Sequence, residues 1–161
     1  MGIDMTVPCG EGLINIRVGA IILKDGKFLM AGNSRHPEYL YSVGGRVQFG
    51  ETAEQAIVRE VLEETGAKME IDRLGFVHEN YFICDTAPYL NKPVYEVSFY
   101  FYMNVPADFE PVCESCTAEG VREYLRWISP EDEIKCYPEF FKTELKSPVK
   151  EVKHFVNDDR N

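Results

Sequence analysis

The hydrophobic and polar positions of the chain alternate in short blocks with a period of two, broken by one long block with a helical period. Ile14–Leu23 alternates and then becomes continuously apolar, which predicts a strand. Lys24-Asp25-Gly26 is a turn signal, and Lys27–Ala31 returns as the second strand of a hairpin. Arg35–Tyr41 reads as a loop and Ser42–Phe49 as a short strand or extended loop carrying Gly44-Gly45. Met69–Cys84 predicts one or two strands. Val94–Val105, rich in β-branched and aromatic residues, predicts a central strand, and Val121–Ile128 another. The helical block is Ala53–Thr65. Thr52 is its expected N-cap, Gln55 completes a capping box, and Gly66 stands where a left-handed C-terminal residue belongs. Short helices are expected to open at Ser129-Pro130-Glu131 and over Pro138–Lys146, with 151–161 as a C-terminal tail. Hairpins and few helices predict an α+β (mixed α/β) fold, a mixed β-sheet sandwiched between helices, in a single domain over 1–161.

Composition narrows the function. The chain has 17 basic and 27 acidic residues and a net charge of −10, which argues against polymeric nucleic acid as a partner. An anionic small molecule is still acceptable to such a chain if cations sit between the two. There is no apolar run of membrane-spanning length, and MGIDMTVPCG lacks the basic and apolar regions of a signal peptide, so no membrane partner is expected. Five irregularly spaced cysteines do not suggest a disulfide framework, and the expected compartment is the cytoplasm. Cys113 and Cys116 form an isolated C-x-x-C without a second ligand pair, which reads as two free thiols. His36, His78 and His154 have no partners at metal spacing and read as ordinary loop or surface histidines.

The chemistry concentrates on the helix. Residues three and four apart share a helical face, so Glu60, Glu63 and Glu64 cluster. Two carboxylates about 5 Å apart repel by roughly 3 kcal/mol at an effective dielectric of 20. These also sit in the C-terminal half of the helix, where the macrodipole disfavours negative charge. A solvated acidic face is the ordinary explanation of such a run. A divalent cation would reverse both penalties, and carboxylate oxygens are what Mg²⁺ prefers.

The wider window runs Gly45-Arg46-Val47-Gln48-Phe49-Gly50-Glu51, through Thr52–Val58, to Arg59-Glu60-Val61-Leu62-Glu63-Glu64-Thr65-Gly66-Ala67. It resembles the box of the Nudix hydrolase family: Gly, five residues, Glu, seven residues, Arg-Glu, an apolar residue, any residue, Glu-Glu, any residue, Gly, an apolar residue. Every position matches, with only Ala67 at the last apolar site, and Val43 stands where many members have Pro. The resemblance implies the Nudix fold and a Mg²⁺-dependent pyrophosphohydrolase, with Mn²⁺ as an alternative metal. Glu60, Glu63, Glu64 and the Gly44 carbonyl would be metal ligands, and Glu63 or Glu64 could also act in catalysis. Gly45, Glu51, Arg59 and Gly66 would support the box. A general base outside the box would be Glu119 or Glu123, with Glu114 less well placed. Arg35, Arg46 and Arg17 are the candidates for meeting phosphate, Arg35 being the best placed. The substrate would be a small molecule in which a nucleoside diphosphate is linked to another group, such as a nucleoside triphosphate or nucleotide sugar. Markers that accompany ADP-ribose or dinucleoside polyphosphate substrates are absent where Ile83-Cys84-Asp85 stand. Homodimers are common in the family, so the resemblance allows one here, and the sequence itself does not fix the oligomeric state. The alternative function is a nucleotide-ligand sensor of the same fold that does not hydrolyse.

Overall fold

The computed structural model describes residues 2–112, 114–116 and 120–160. In chain order the elements are β1 (Thr6–Cys9), β2 (Gly12–Ile21), β3 (Leu23–Lys24), β4 (Lys27–Asn33), β5 (Tyr39–Ser42), β6 (Gly44–Arg46), α1 (Ala53–Thr65), β7 (Glu70–Ile83), β8 (Pro93–Asn104), β9 (Glu114–Cys116), β10 (Arg122–Ile128), β11 (Lys135–Tyr137), α2 (Phe141–Glu144) and β12 (Lys153–Asp158). The α+β class holds, and the strands divide between two mixed six-stranded sheets. The first has the order β1-β2-β8-β7-β12, with β6 also on β2. The second has the order β11-β5-β4-β10-β9, with β3 on β4.

Side-chain alternation on the first sheet decides what covers each face. Val18 and Ala20 of β2 and Phe101 and Met103 of β8 pack in one cluster with Ala56, Ile57 and Val61 of α1. Their neighbours Ile21, Tyr100 and Tyr102 point the other way. They pack with Phe28, Met30, Leu40 and Ile128 of the second sheet and with Phe141 of α2. The first sheet is therefore the middle layer, between α1 and the second sheet.

The predicted hairpin forms, closed by Asp25 (φ 52°) and Gly26 (φ 73°), the left-handed pair that a two-residue turn requires. The predicted helix α1 forms with the same bounds. Thr52 Oγ1 accepts from the Gln55 N–H at 3.1 Å, and Gln55 Oε1 accepts from the Thr52 N–H at 2.9 Å. Gly66, at φ 74°, donates its N–H to Leu62 O and ends the helix. Val94–Val105 lies at the centre of the first sheet as β8, and Met69–Cys84 is one long strand, β7.

Four local expectations change. The end of the expected loop Arg35–Tyr41 is strand β5, because Met30 and Ala31 of β4 pair with Ser42 and Tyr41. Ser129-Pro130-Glu131 is a turn and not a helix. The Ser129 and Asp132 backbones close it at 3.1 Å, and Asp132 Oδ2 accepts from the Ser129 N–H at 3.0 Å, which leaves the chain free to enter β11. Pro138–Lys146 is helical only over Phe141–Glu144. The tail expected over 151–161 instead supplies β12, which pairs in parallel with β7 from Lys153↔Phe76 to Asp158↔Tyr81. Phe155 anchors it, stacked on Phe140 with centroids 4.2 Å apart. A six-residue alternation with one aromatic anchor is too weak a periodic signal to separate from a frayed end. No helix among the described residues is long and apolar enough to cross a membrane.

Candidate active site

The capping box fixes where α1 begins, and the helical period then sets where its carboxylates point. Ala56, Ile57, Val61 and Thr65 are buried against the first sheet, so the flank bearing Glu60 and Glu64 lies over β2 and β6. Those two strands meet through Val18↔Gly45 and Gly19↔Gly44. Both glycines are required by close approach. A Cβ on Gly45 would lie 2.5 Å from Glu60 Oε1. One on Gly44, whose φ is 146°, would lie 2.1 Å from the Val18 carbonyl oxygen.

Arg59 holds the carboxylates from one side. Its guanidinium pairs with Glu51 at 2.9 Å, Glu60 at 2.7 Å and Glu63 at 3.3 Å, and donates to the Arg46 carbonyl at 3.2 Å. Burial works against its charge, but the hydrogen bonds to Glu51 and Glu60 prevail and hold its pKa above the ordinary arginine value. This ties the loop after β6 to the helix and gives Glu51 and Arg59 a supporting geometry.

Glu64 has no such partner. Among the described residues its Oε1 accepts only a long 3.4 Å hydrogen bond from the Gly44 N–H, and its Oε2 is buried without a hydrogen-bond partner. Burial, then the Glu60 charge, pushes the Glu64 carboxyl up to about 8, against the Gly44 N–H and Arg17. Burial also raises Glu60, although Arg59 opposes it. An orphaned buried carboxylate oxygen beside two more carboxylates suits a hard divalent cation. As they stand, no three His, Cys, Asp or Glu side chains among the described residues are gathered around one point. Glu60 and Glu63 lean on Arg59, so a cation would have to draw them away from it.

In front of these carboxylates lies a cleft of about 650 Å³, lined by Glu60, Glu63, Glu64 and Gly44 on one side and by Tyr41, Glu123 and Tyr124 on the other. Glu123 sits on β10 opposite Asn33 and is one of the charges that raise Glu64. Glu119 lies outside the described residues, as does Cys113, and for Glu114 only the strand placement is described. Arg17 lines a second cavity, within the electrostatic influence of Glu96, Glu64 and Glu60, and is not among the residues lining the carboxylate cleft. Arg46 faces Asp4 at 3.8 Å and gives the site its carbonyl, through Arg59, rather than its charge. Arg35 is exposed in the loop after β4 and is not among the residues lining the carboxylate cleft. His78, expected at the surface, is buried on β7 and bonded to Asn157 Oδ1 at 2.7 Å.

Tyr41, which no local pattern sets apart from the other aromatic residues, lines both cavities. Asn80, Glu96 and Asn157 of the second cavity were not singled out. The available signal was polarity at inward-pointing strand positions, since Glu96 and Ser98 share the face of Tyr100 and Tyr102.

The comparisons agree with this picture. The model of the NUDIX domain matches residues 14–148. A curated relative from Escherichia coli, named NAD-capped RNA hydrolase NudC, is 44% identical over 50 residues, which is 30% of this chain and 20% of that protein. The chain thus matches about a fifth of the length of such relatives. Among solved structures, a MutT protein from Bacillus halodurans aligns with a TM-score of 0.58 at 16% identity, covering 89% of this chain and 90% of that one. A MutT NUDIX hydrolase from Burkholderia pseudomallei gives 0.56 at 21% identity, covering 84% and 98%. An ADP-ribose pyrophosphatase from Streptococcus suis gives 0.54 at 17% identity, covering 89% and 98%. At these identities the structures speak for a shared fold.

Proposed function

The chain belongs to the Nudix domain family, and from that premise we propose that it is a pyrophosphohydrolase that uses Mg²⁺ to cleave the P–O–P bond of a nucleoside diphosphate linked to another group. The observation that carries the proposal is Glu64: a half-buried side chain whose Oε2 is buried without a hydrogen-bond partner among the described residues, its carboxyl raised by burial and then by Glu60, at the wall of a cleft. Glu60, Glu63 and Glu64 would hold the cation, and Mn²⁺ would serve in its place. When bound, the cation supplies charge neutralisation on the diphosphate and a lowered pKa for the attacking water.

The protein's own groups do the rest. Arg59 and Glu51 fix the helix flank that presents the carboxylates, and Gly45 leaves room for Glu60 beside the sheet. Glu123, across the cleft, accepts the proton of the water that attacks phosphorus, and the P–O bond to the leaving phosphate breaks. Arg17, within the electrostatic influence of Glu60 and Glu64, meets the substrate's phosphate charge. The names of similar proteins, NAD-capped RNA hydrolase and ADP-ribose pyrophosphatase, both describe a nucleoside diphosphate joined to something else, which supports this substrate class. The free thiols Cys9, Cys84 and Cys136 suit a cytoplasmic setting.

The test is a phosphate-release screen after phosphatase coupling. It offers nucleoside triphosphates, nucleotide sugars, ADP-ribose, dinucleoside polyphosphates and NADH with Mg²⁺ or with EDTA, to the wild type and to Glu64→Gln. Turnover that needs Mg²⁺ and disappears in the variant supports the assignment. Silence across the panel with tight ligand binding overturns hydrolysis in favour of a sensor. A Glu64→Gln enzyme at wild-type rate overturns the metal assignment.

A further inference from the structure

The inner face of the first sheet is apolar at one end and polar at the other. Register makes this explicit. Gly19, Tyr100 and Phe76 align across β2, β8 and β7, and Tyr100 and Phe76 belong to the core between the sheets. The next inward row is Arg17, Ser98, His78 and Phe155, and the one after it is Asn15, Glu96, Asn80 and Asn157. A face that packs core residues a few ångströms away thus carries two consecutive polar rows. Asn15, Ser98 and His78 are 5%, 2% and 6% exposed. Burying such groups costs free energy unless they are paired, so their presence needs a reason.

Over these rows lies the second cavity, of about 610 Å³, floored by Arg17, His78, Asn80, Glu96 and Asn157. It shares Tyr41 with the carboxylate cleft, and Arg17 in its lining feels the charges of Glu96 as well as those of Glu64 and Glu60. Apart from Arg17 its charged lining is acidic, with Glu96, Glu139 and Asp159, so a phosphate is not what it accepts. Tyr41 and Tyr137 give it aromatic walls. Glu96 receives the Asn15 amide on Oε2 at 3.3 Å, and among the described residues its Oε1 receives no hydrogen bond. Beside Glu96 in the same row stands the Asn80 amide, which can donate as well as accept.

A carboxylate takes a pair of adjacent N–H donors, and the neighbouring amide can then donate to a carbonyl next to them. Among the common bases only guanine presents that order, with its 2-amino group, its N1–H and its O6 in a row. Adenine, cytosine and uracil each place an acceptor beside their donor. We infer that the second cavity holds the guanine base of the substrate, with Glu96 on the 2-amino and N1–H edge, Asn80 on O6, and Arg17 at the passage to the diphosphate. The inference rests on the reading of the carboxylate cleft as the diphosphate site. Glu96 is then a specificity residue that touches the base and takes no part in bond cleavage.

Binding of nucleoside 5′-monophosphates, measured by calorimetry with no turnover required, tests it. The wild type should bind GMP at least tenfold more tightly than IMP, which lacks the 2-amino group, and than AMP, CMP and UMP. Glu96→Gln, which turns one acceptor oxygen into a donor, should remove that preference and leave the affinity for base-free methylenediphosphate with Mg²⁺ unchanged. Equal affinity for all five nucleotides in the wild type overturns the inference, and needs no variant to fold. So does a Glu96→Gln protein that keeps its preference for GMP, or one that loses methylenediphosphate equally. Selective GMP binding without Mg²⁺-dependent turnover on any substrate would sink the hydrolase reading and leave the base site standing. Turnover indifferent to the base would do the reverse.

Discussion

The two cavities share Tyr41 in their walls but are built in opposite ways. The carboxylate cleft takes its three clustered glutamates from neighbouring turns of a single helix, braced by one arginine fork. The second cavity takes its chemistry from four strands, each giving one or two side chains at the same level of the sheet. In the first, charge is crowded and one buried carboxylate oxygen has no hydrogen-bond partner among the described residues, a donor set that suits a cation. In the second, hydrogen-bonding groups are laid out in rows, which is the state of a surface that reads shape and donor pattern. A local device fixes the reaction, and a non-local one selects what reacts.

The largest effect should come from Glu64. Glu64→Gln keeps the size of the side chain and removes the charge, and Mg²⁺-dependent turnover should fall more than a thousandfold, equivalent to about 4 kcal/mol of lost transition-state stabilisation. Binding of nucleoside monophosphates in the second cavity should not change. Steady-state rates and calorimetry on the same preparation check both halves.

This contrast also explains what the sequence could reveal. The spacing of Glu60, Glu63 and Glu64, the capping box at Thr52 and Gln55, and Gly66 at the helix end are all local, so they can be read along the chain. The pair Glu51–Arg59 is eight residues apart and belongs to the same motif. The α+β class followed from alternation in β2, the β-branched and aromatic content of β8, and the small number of helices among many strands. Asn15, Asn80, Glu96 and Asn157 are scattered over more than 140 positions and meet only through strand register, which alternation does not fix. β12 was missed for the same reason: its one anchor, Phe155, depends on a ring contact with Phe140 across the fold. Arg35 was favoured for its place beside the glycine loop, and the loop directs it to the surface.

Three smaller effects sharpen the comparison. Arg59→Lys keeps the charge but loses the fork that reaches Glu51, Glu60 and Glu63 together, and turnover should fall about tenfold to a hundredfold. A variant with unchanged kcat and KM would show that the brace is dispensable. Phe155→Ala removes the anchor of β12 and should cost about 2 kcal/mol of stability, read from urea unfolding. It should weaken nucleotide binding in the second cavity more than Mg²⁺ binding in the first, because β12 carries Asn157.

The smallest effect is on pH. Burial raises the Glu64 carboxyl from 4.5 to about 8, so the folded state holds that proton more tightly than the unfolded chain does. The contribution is fully present below about pH 4.5 and is lost as pH rises through about 8. Without divalent cations the protein should therefore melt at a lower temperature at pH 8.5 than at pH 6, by about 4 °C or more. Glu64→Gln should flatten this dependence. A wild-type Tm that rises over the same interval would mean that Glu64 is not the strained group it is taken to be.

The central claim is that these three glutamates hold a divalent cation. It is tested most directly by titrating Mn²⁺ into the wild type and Glu64→Gln and following the free ion by electron paramagnetic resonance, with Mg²⁺ as competitor. The account predicts saturable loss of the free signal in the wild type, its return when Mg²⁺ is added, and binding at least tenfold weaker in the variant. Equal Mn²⁺ binding by the two proteins, or none by either in the presence of methylenediphosphate, would contradict it.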